Sequence, residues 1–151
     1  MNYIYNEHMK KIIFVCHGSI CRSPAAEFIM KNLTNDFEIT SKATSYEEIG
    51  NDIYPPMKRE LTRQGIKFSA HHANRITKQD YDSADYIFYM DDENKWGLTR
   101  ILGNNIPKCM PIYCFTKDIN EIEDPWYSDN YEKVVNELRI CIKDILNNIK
   151  K

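Results

Sequence analysis

Long hydrophobic runs are missing from this sequence. The two longest, Ile12 to Cys16 and Tyr86 to Met90, hold five residues each. A bilayer-spanning helix needs roughly 20, and Lys10-Lys11 before so short a run make no secretory signal. An excess of charge is missing too. Twenty basic side chains face 22 acidic ones, for a net charge of −2, which gives no pull towards nucleic acid or an anionic membrane. Repeats, linkers and low-complexity stretches are likewise absent. Cysteines are few: five, at 16, 21, 109, 114 and 141. Their odd number, without a signal peptide, predicts reduced thiols rather than a disulfide framework. The pairs 16/21 and 109/114 reach the upper limit of common zinc-ligand spacing. No histidine pattern joins them, so neither metal nor cofactor is indicated.

What is present is a globular balance of 42% apolar and 28% charged residues, with 10 Tyr, 6 Phe and 2 Trp to fill a core. A length of 151 residues suits one domain. The expectation is a soluble, cytoplasmic protein.

Residues 1–10 are polar and unpatterned and read as a disordered or extended segment, with Met9 an alternative start. Residues 11–151 read as a single domain. Ile12 to Cys16 has the continuous β-branched and aromatic character of a strand buried on both faces. His17 to Cys21 forms a turn, and Ser23-Pro24 starts a helix with an inward stripe of Ala25, Ala26, Phe28, Ile29 and Leu33. A weaker strand is expected over Phe37 to Ala43, then a polar loop over 44–51. Pro55-Pro56 opens a helix that Gly65 stops. Tyr86 to Met90 is a third strand, followed by a helix through Leu98, Ile101 and Leu102. A fourth strand is expected over Met110 to Phe115, then a loop over 116–128. The last helix carries Val134, Val135, Leu138, Ile142, Ile145 and Ile149 as one apolar stripe. Strand and helix alternating in this way predict an α/β sandwich on a parallel sheet, with ligands bound beyond the carboxyl ends of the strands.

The tip of the first strand carries Cys16-His17-Gly18-Ser19-Ile20-Cys21-Arg22-Ser23-Pro24. Between a strand and a helix, such a segment can curl its backbone N–H groups into a nest for a tetrahedral oxyanion. Gly18 is expected to supply the positive φ of the curl. Arg22 can fork onto two phosphate oxygens. Cys16 then lies at the bottom, where donors and the helix dipole favour its thiolate. Ser23 is placed to donate a hydrogen bond to the sulfur and ease its departure from phosphorus. Expulsion of an alcohol also calls for a proton donor. Asp124, held extended before Pro125, is the candidate, and Trp126 and Tyr127 could flank a flat ring.

These residues resemble the low-molecular-weight protein tyrosine phosphatases. The likeness runs from Lys11 onward and includes Ala26-Glu27, Ala43-Thr44-Ser45, Gly65-Ile66, His71 with Ala73, Ile76-Thr77, Met90-Asp91 with Asn94, and Asp124 to Tyr127. The resemblance implies a four-stranded parallel sheet in a three-layer sandwich, with helices on both faces and no metal. It implies Cys16 as nucleophile, Arg22 as phosphate binder, Asp124 as general acid and then base, and Ser23 as support for the thiolate. His17, Gly18, Ser19, Ile20 and Cys21 would line the phosphate cradle, with Tyr46, Trp126 and Tyr127 as walls of the slot. His71 and Asp91 would brace the cradle from behind, and Cys21 could pair reversibly with Cys16 under oxidation. Phosphotyrosine proteins are the implied substrates and inorganic phosphate the product and inhibitor, with the enzyme a monomer or weak dimer. Ile20, four residues after the nucleophile, favours phosphotyrosine over phosphoarginine. Glu47 and Glu48 could favour basic residues near the target tyrosine.

Three positions depart from the family pattern. Ser19 stands where asparagine is usual, which predicts a looser or rewired network to His71. His71-His72-Ala73-Asn74 lacks the usual arginine. His17 is unusual beside a nucleophile and is expected to point to solvent. A thiol-dependent arsenate reductase, relaying through Cys109 and Cys114, and an inactive phosphate-binding module are the competing readings.

Overall fold

The computed structural model describes residues 9–151; of the N-terminal segment expected over 1–10, only residues 9 and 10 fall within it. Strands β1 (Lys11–Cys16), β2 (Glu38–Ala43), β3 (Tyr86–Tyr89) and β4 (Cys109–Pro111) form one parallel sheet in the order β2-β1-β3-β4. The helices are α1 (Arg22–Leu33), α2 (Pro55–Arg63), α3 (Lys78–Ser83), α4 (Asp92–Leu102), α5 (Pro125–Ser128) and α6 (Tyr131–Asn148).

The pattern of β1 explains its place at the centre. Successive side chains leave a strand on opposite faces. Ile12, Phe14 and Cys16 enter a core shared with α1, α2 and α6, while Ile13 and Val15 enter a second core with Ile76, Ala84 and Leu98. Both faces being covered, the run has no polar alternation. The chain leaves β1 for β2 on one side and later pairs β3 on the other. The carboxyl end of β1 is therefore the switch point of the sheet, where a crevice opens. The stripe on α6 is buried as expected from Val134 to Ile145, with Ile149 packed against the same core just beyond the helix.

Four expectations need correction. The fourth strand stops at Pro111; Ile112 N–H still reaches the Tyr89 carbonyl at 2.8 Å, and turns closed by Cys114 and Thr116 N–H groups follow. Leu33, at the last position of α1, overruns the core and stays about half exposed. Helix α3 was not expected because it buries no residue and so has no apolar stripe. Its signal is the capping box between Thr77 and Asp80, in which each residue's backbone N–H donates to the other's side-chain oxygen. Finally, the loop before α6 contains α5, one turn started by the Asp124 carboxylate and Pro125.

Candidate active site

The turn from His17 to Cys21 joins β1 to α1. Its left-handed residue is Ser19, with φ 56°, not Gly18. At Gly18 the turn packs closely against Glu48. A Cβ there would lie 3.1 Å from Glu48 Cγ, so the bare backbone lets the loop after β2 pack against the turn. Thr44 N–H donates to the Cys16 carbonyl at 3.0 Å, and the Ser45 N–H and hydroxyl donate to the His17 carbonyl at 3.1 and 3.0 Å. Helix α1 has no side-chain cap at its N-terminus. In its first turn the Ser23 N–H points at Cys16 Sγ, 3.4 Å away, Pro24 has no N–H, and that of Ala25 donates to the Cys21 carbonyl at 3.1 Å.

Arg22 is 2% exposed, and a buried guanidinium must be paired. Its Nη1 donates to Asp91 Oδ2 at 2.6 Å and to the Ile122 carbonyl at 2.9 Å; Nη2 faces Asp124 Oδ2 at 3.5 Å. Burial alone would weaken the Arg22 charge. Cys16, Asp91 and Asp124 outweigh it, so the pKa is raised above an already high value. Asp91 is itself held as the N-cap of α4, its Oδ1 accepting from Asn94 N–H at 2.9 Å. Asn94 Oδ1 accepts from Met90 N–H at 3.0 Å. The chain of contacts runs from the end of β3 to the guanidinium and fixes its direction.

Asp124 is extended, φ −83° and ψ 111°, and its Oδ1 accepts from Trp126 N–H at 3.0 Å. Oδ2 remains turned towards the pocket. A cleft of about 130 Å³ is lined by Cys16, Arg22 and Asp124, together with His17, Gly18, Ile20, Cys21, Glu47, Glu48, Trp126 and Tyr127. Trp126 packs on Tyr54 with centroids 4.7 Å apart, leaving it 50% exposed, while Tyr127 is 85% exposed. Tyr54 is tied to the turn through its N–H, 2.8 Å from the Ile20 carbonyl.

Tyr46 is not brought to the cleft. Its hydroxyl accepts from Arg75 Nη1 at 2.6 Å, and the guanidinium lies over its ring at 4.4 Å; Glu47 and Glu48 take the place in the wall expected for it. His17 is half exposed on the rim, its Nε2 3.0 Å from Glu47 Oε2. Ser19 and Ser23 lie fully buried behind the cleft, with Cys16 Sγ and Ser23 Oγ 3.2 Å apart. His71 is buried beside them, its Nε2 2.7 Å from the Ser19 carbonyl oxygen and its backbone N–H donating to Asp52 Oδ1 at 3.1 Å. Cys21 is a buried free thiol. Burial, then the charges of Cys16 and Asp124, push its pKa well above the ordinary range despite opposition from Arg22. Cys109 and Cys114 do not line the cleft. Among the described residues, no group of three or more His, Cys, Asp or Glu side chains could hold a metal ion.

Sequence reasoning missed the Ile122 carbonyl, Asp52 and Tyr54. The first acts through its backbone and leaves no side-chain signal. The other two become partners of the site only through contacts distant in sequence.

A parallel α/β sheet with a cysteine at the tip of its first strand, in one cleft with a buried arginine and an aspartate, is the arrangement of a cysteine-dependent phosphatase. The chain belongs to the low molecular weight phosphotyrosine protein phosphatase family, whose model matches residues 11–151. It is, with that family, a protein-tyrosine phosphatase. It is 32% identical to the low molecular weight protein-tyrosine-phosphatase YfkJ of Bacillus subtilis (strain 168), over 95% of this chain and 97% of that protein. It is 36% identical to the low molecular weight phosphotyrosine protein phosphatase of Homo sapiens, over 91% and 94%. Among solved structures, SP-PTP, the low molecular weight protein tyrosine phosphatase from Streptococcus pyogenes, superposes with a TM-score of 0.86 at 32% identity, covering 95% of each chain.

Proposed function

We propose that the chain hydrolyses phosphotyrosine in proteins through a phosphocysteine intermediate. The observation that carries this reading is that Cys16, Arg22 and Asp124 line one cleft at the end of β1. The Cys16 thiolate attacks phosphorus while Arg22 binds two of the phosphoryl oxygens. The bond from phosphorus to the tyrosine oxygen breaks, and Asp124 gives its proton to the departing phenolate. Asp124, now a carboxylate, takes a proton from water as that water attacks phosphorus. The S–P bond then breaks, releasing inorganic phosphate and restoring the thiolate, to which Ser23 donates.

Trp126 and Tyr127 flank the aryl ring. Depth favours phosphotyrosine, because a phosphoserine side chain is too short to carry its phosphoryl group to Cys16. Ile20 in the wall supports phosphotyrosine over phosphoarginine. The arsenate-reductase reading finds no support, since neither Cys109 nor Cys114 reaches the cleft. We place this single-domain enzyme, spanning 11–151, in the cytoplasm as a monomer or weak dimer. Among the described residues, no helix is long and apolar enough to cross a membrane. The test is hydrolysis of an aryl phosphate by the wild type, Cys16→Ser and Asp124→Ala. Wild-type turnover, none from the serine variant and partial activity without the carboxylic acid are expected. Turnover surviving in Cys16→Ser would refute the mechanism. Paired phosphotyrosine and phosphoarginine peptides would decide the substrate.

A further inference from the structure

The loop over 44–51 lies between the turn at the end of β1 and the segment 73–76. Main-chain bonds hold its two roots to that segment. At the near root, Ala43 N–H donates to the Asn74 carbonyl at 2.7 Å, and Ile76 N–H donates to the Ala43 carbonyl at 2.8 Å. At the far root, Gly50 N–H donates to the Ala73 carbonyl at 2.7 Å, and Ala73 N–H donates to the Asn51 carbonyl at 2.9 Å. The crown between them is attached through a side chain. Arg75 Nη1 donates to the Tyr46 hydroxyl at 2.6 Å, and the guanidinium stands over the ring, 4.4 Å from its centroid.

Neighbouring side chains of the crown leave on opposite sides. Tyr46 goes to Arg75, whereas Glu47 reaches His17 Nε2 at 3.0 Å and lines the cleft together with Glu48. Tyr46 is 66% exposed, too open for apolar burial to hold it, so the contact with Arg75 sets its place. A ring pinned on the outer side decides which way the two carboxylates face.

We propose that Arg75 is a specificity-determining, positioning residue: by clamping Tyr46 outward it turns Glu47 and Glu48 onto the cleft, where they take a cationic side chain beside the substrate's phosphotyrosine. This rests on the phosphotyrosine reading of the cleft. It carries a sign that charge alone does not share. Arg75 is a cation, so its removal should by long-range electrostatics draw a basic peptide more strongly. Loss of the clamp weakens that peptide instead.

The test compares a neutral aryl phosphate with two phosphotyrosine peptides, one flanked by lysine and one by glutamate. Difluoromethylphosphonate analogues of the peptides, which are not hydrolysed, give affinities by fluorescence anisotropy without turnover. In Arg75→Ala, KM and the phosphonate Kd for the lysine peptide should rise about fivefold, with kcat on all three substrates within about twofold of wild type. Tyr46→Ala, which changes no charge, should match it. Arg75→Lys keeps a cation for the ring and should return the affinity to within about twofold. In a background of Glu47→Gln with Glu48→Gln, Arg75→Ala should change that affinity by less than about twofold. The main-chain bonds at the roots survive these substitutions, so Tm should stay within about 2 °C. Unchanged or tighter binding of the lysine peptide by Arg75→Ala overturns the proposal. Weaker binding of the glutamate peptide overturns it too, because Arg75 would then be a direct contact. So does an equal fall in kcat on all three substrates, the mark of a merely structural role. A wild type that hydrolyses neither the aryl phosphate nor the peptides would instead sink the phosphatase reading, while the phosphonate affinities would still report on the clamp.

Discussion

The floor and the rim of the cleft are built in opposite ways. On the floor, Cys16, Arg22, Ser19, Ser23 and His71 are all buried, and each is held by contacts from separate parts of the chain. On the rim, His17, Glu47, Trp126 and Tyr127 are half exposed or more, with few partners. A buried, over-determined group keeps its geometry through a reaction, whereas an exposed one can adapt to its target. The proposed mechanism assigns the chemistry to the floor and leaves the choice of protein to the rim.

Substitutions on the floor should therefore act on turnover, and those on the rim on substrate preference. Largest of all, Cys16→Ser is expected to lower kcat by at least about four orders of magnitude in a steady-state assay. Arg22→Lys should follow, losing about 10²–10³ in kcat, because an ammonium cannot fork onto two oxygens while also facing Asp91. Asp124→Ala should cost about 10²–10³ with a poor phenol leaving group and far less with a good one, a contrast that pre-steady-state rates would display.

Smaller still is the effect of Glu123, which sits beside Asp124 but outside the cleft. Its carboxylate accepts from Lys133 Nζ at 2.5 Å and from Asn130 Nδ2 at 3.0 Å. Lys133 foremost, with Ser128 and Asn130, holds its pKa down to about 2. A lowered carboxylate stabilises the fold above its unfolded value of about 4.3, and that contribution is lost as pH falls towards the folded value. Glu123→Gln should thus lower Tm at neutral pH and converge with wild type as the pH falls from about 4.3 to 2, by thermal scans. Smallest is Glu47→Gln, which should change kcat/KM on a neutral aryl phosphate by less than about threefold. On peptides with Lys or Arg beside the phosphotyrosine the loss should be larger, and an equal effect on both would show that the rim does not select.

The same contrast explains what the sequence made legible. Strong local signals marked the floor: a five-residue apolar run, Cys and Arg at the ends of one turn, and a Ser-Pro helix start. The sandwich followed from the same alternation of runs and stripes. Ser19 stands out in the sequence as a departure; its carbonyl lies 2.7 Å from His71 Nε2 and its hydroxyl 2.9 Å from Ser23 Oγ. Residue type alone points to Gly18 for the positive φ, yet the left-handed bend falls one residue later. Tyr46 was expected in the slot, but its ring goes to Arg75, a partner 29 residues away that no local pattern announces. Helix α3 has no buried face and so escaped a reading based on apolar periodicity.

The most direct measurement is rapid quenching of Asp124→Ala with an aryl phosphate whose leaving group needs no protonation. Loss of the base should slow hydrolysis of the intermediate more than its formation, so a phosphoryl group should accumulate on the peptide that carries Cys16. A burst of phenol with no phosphoryl group on that peptide, or with the group on another residue, would contradict the account.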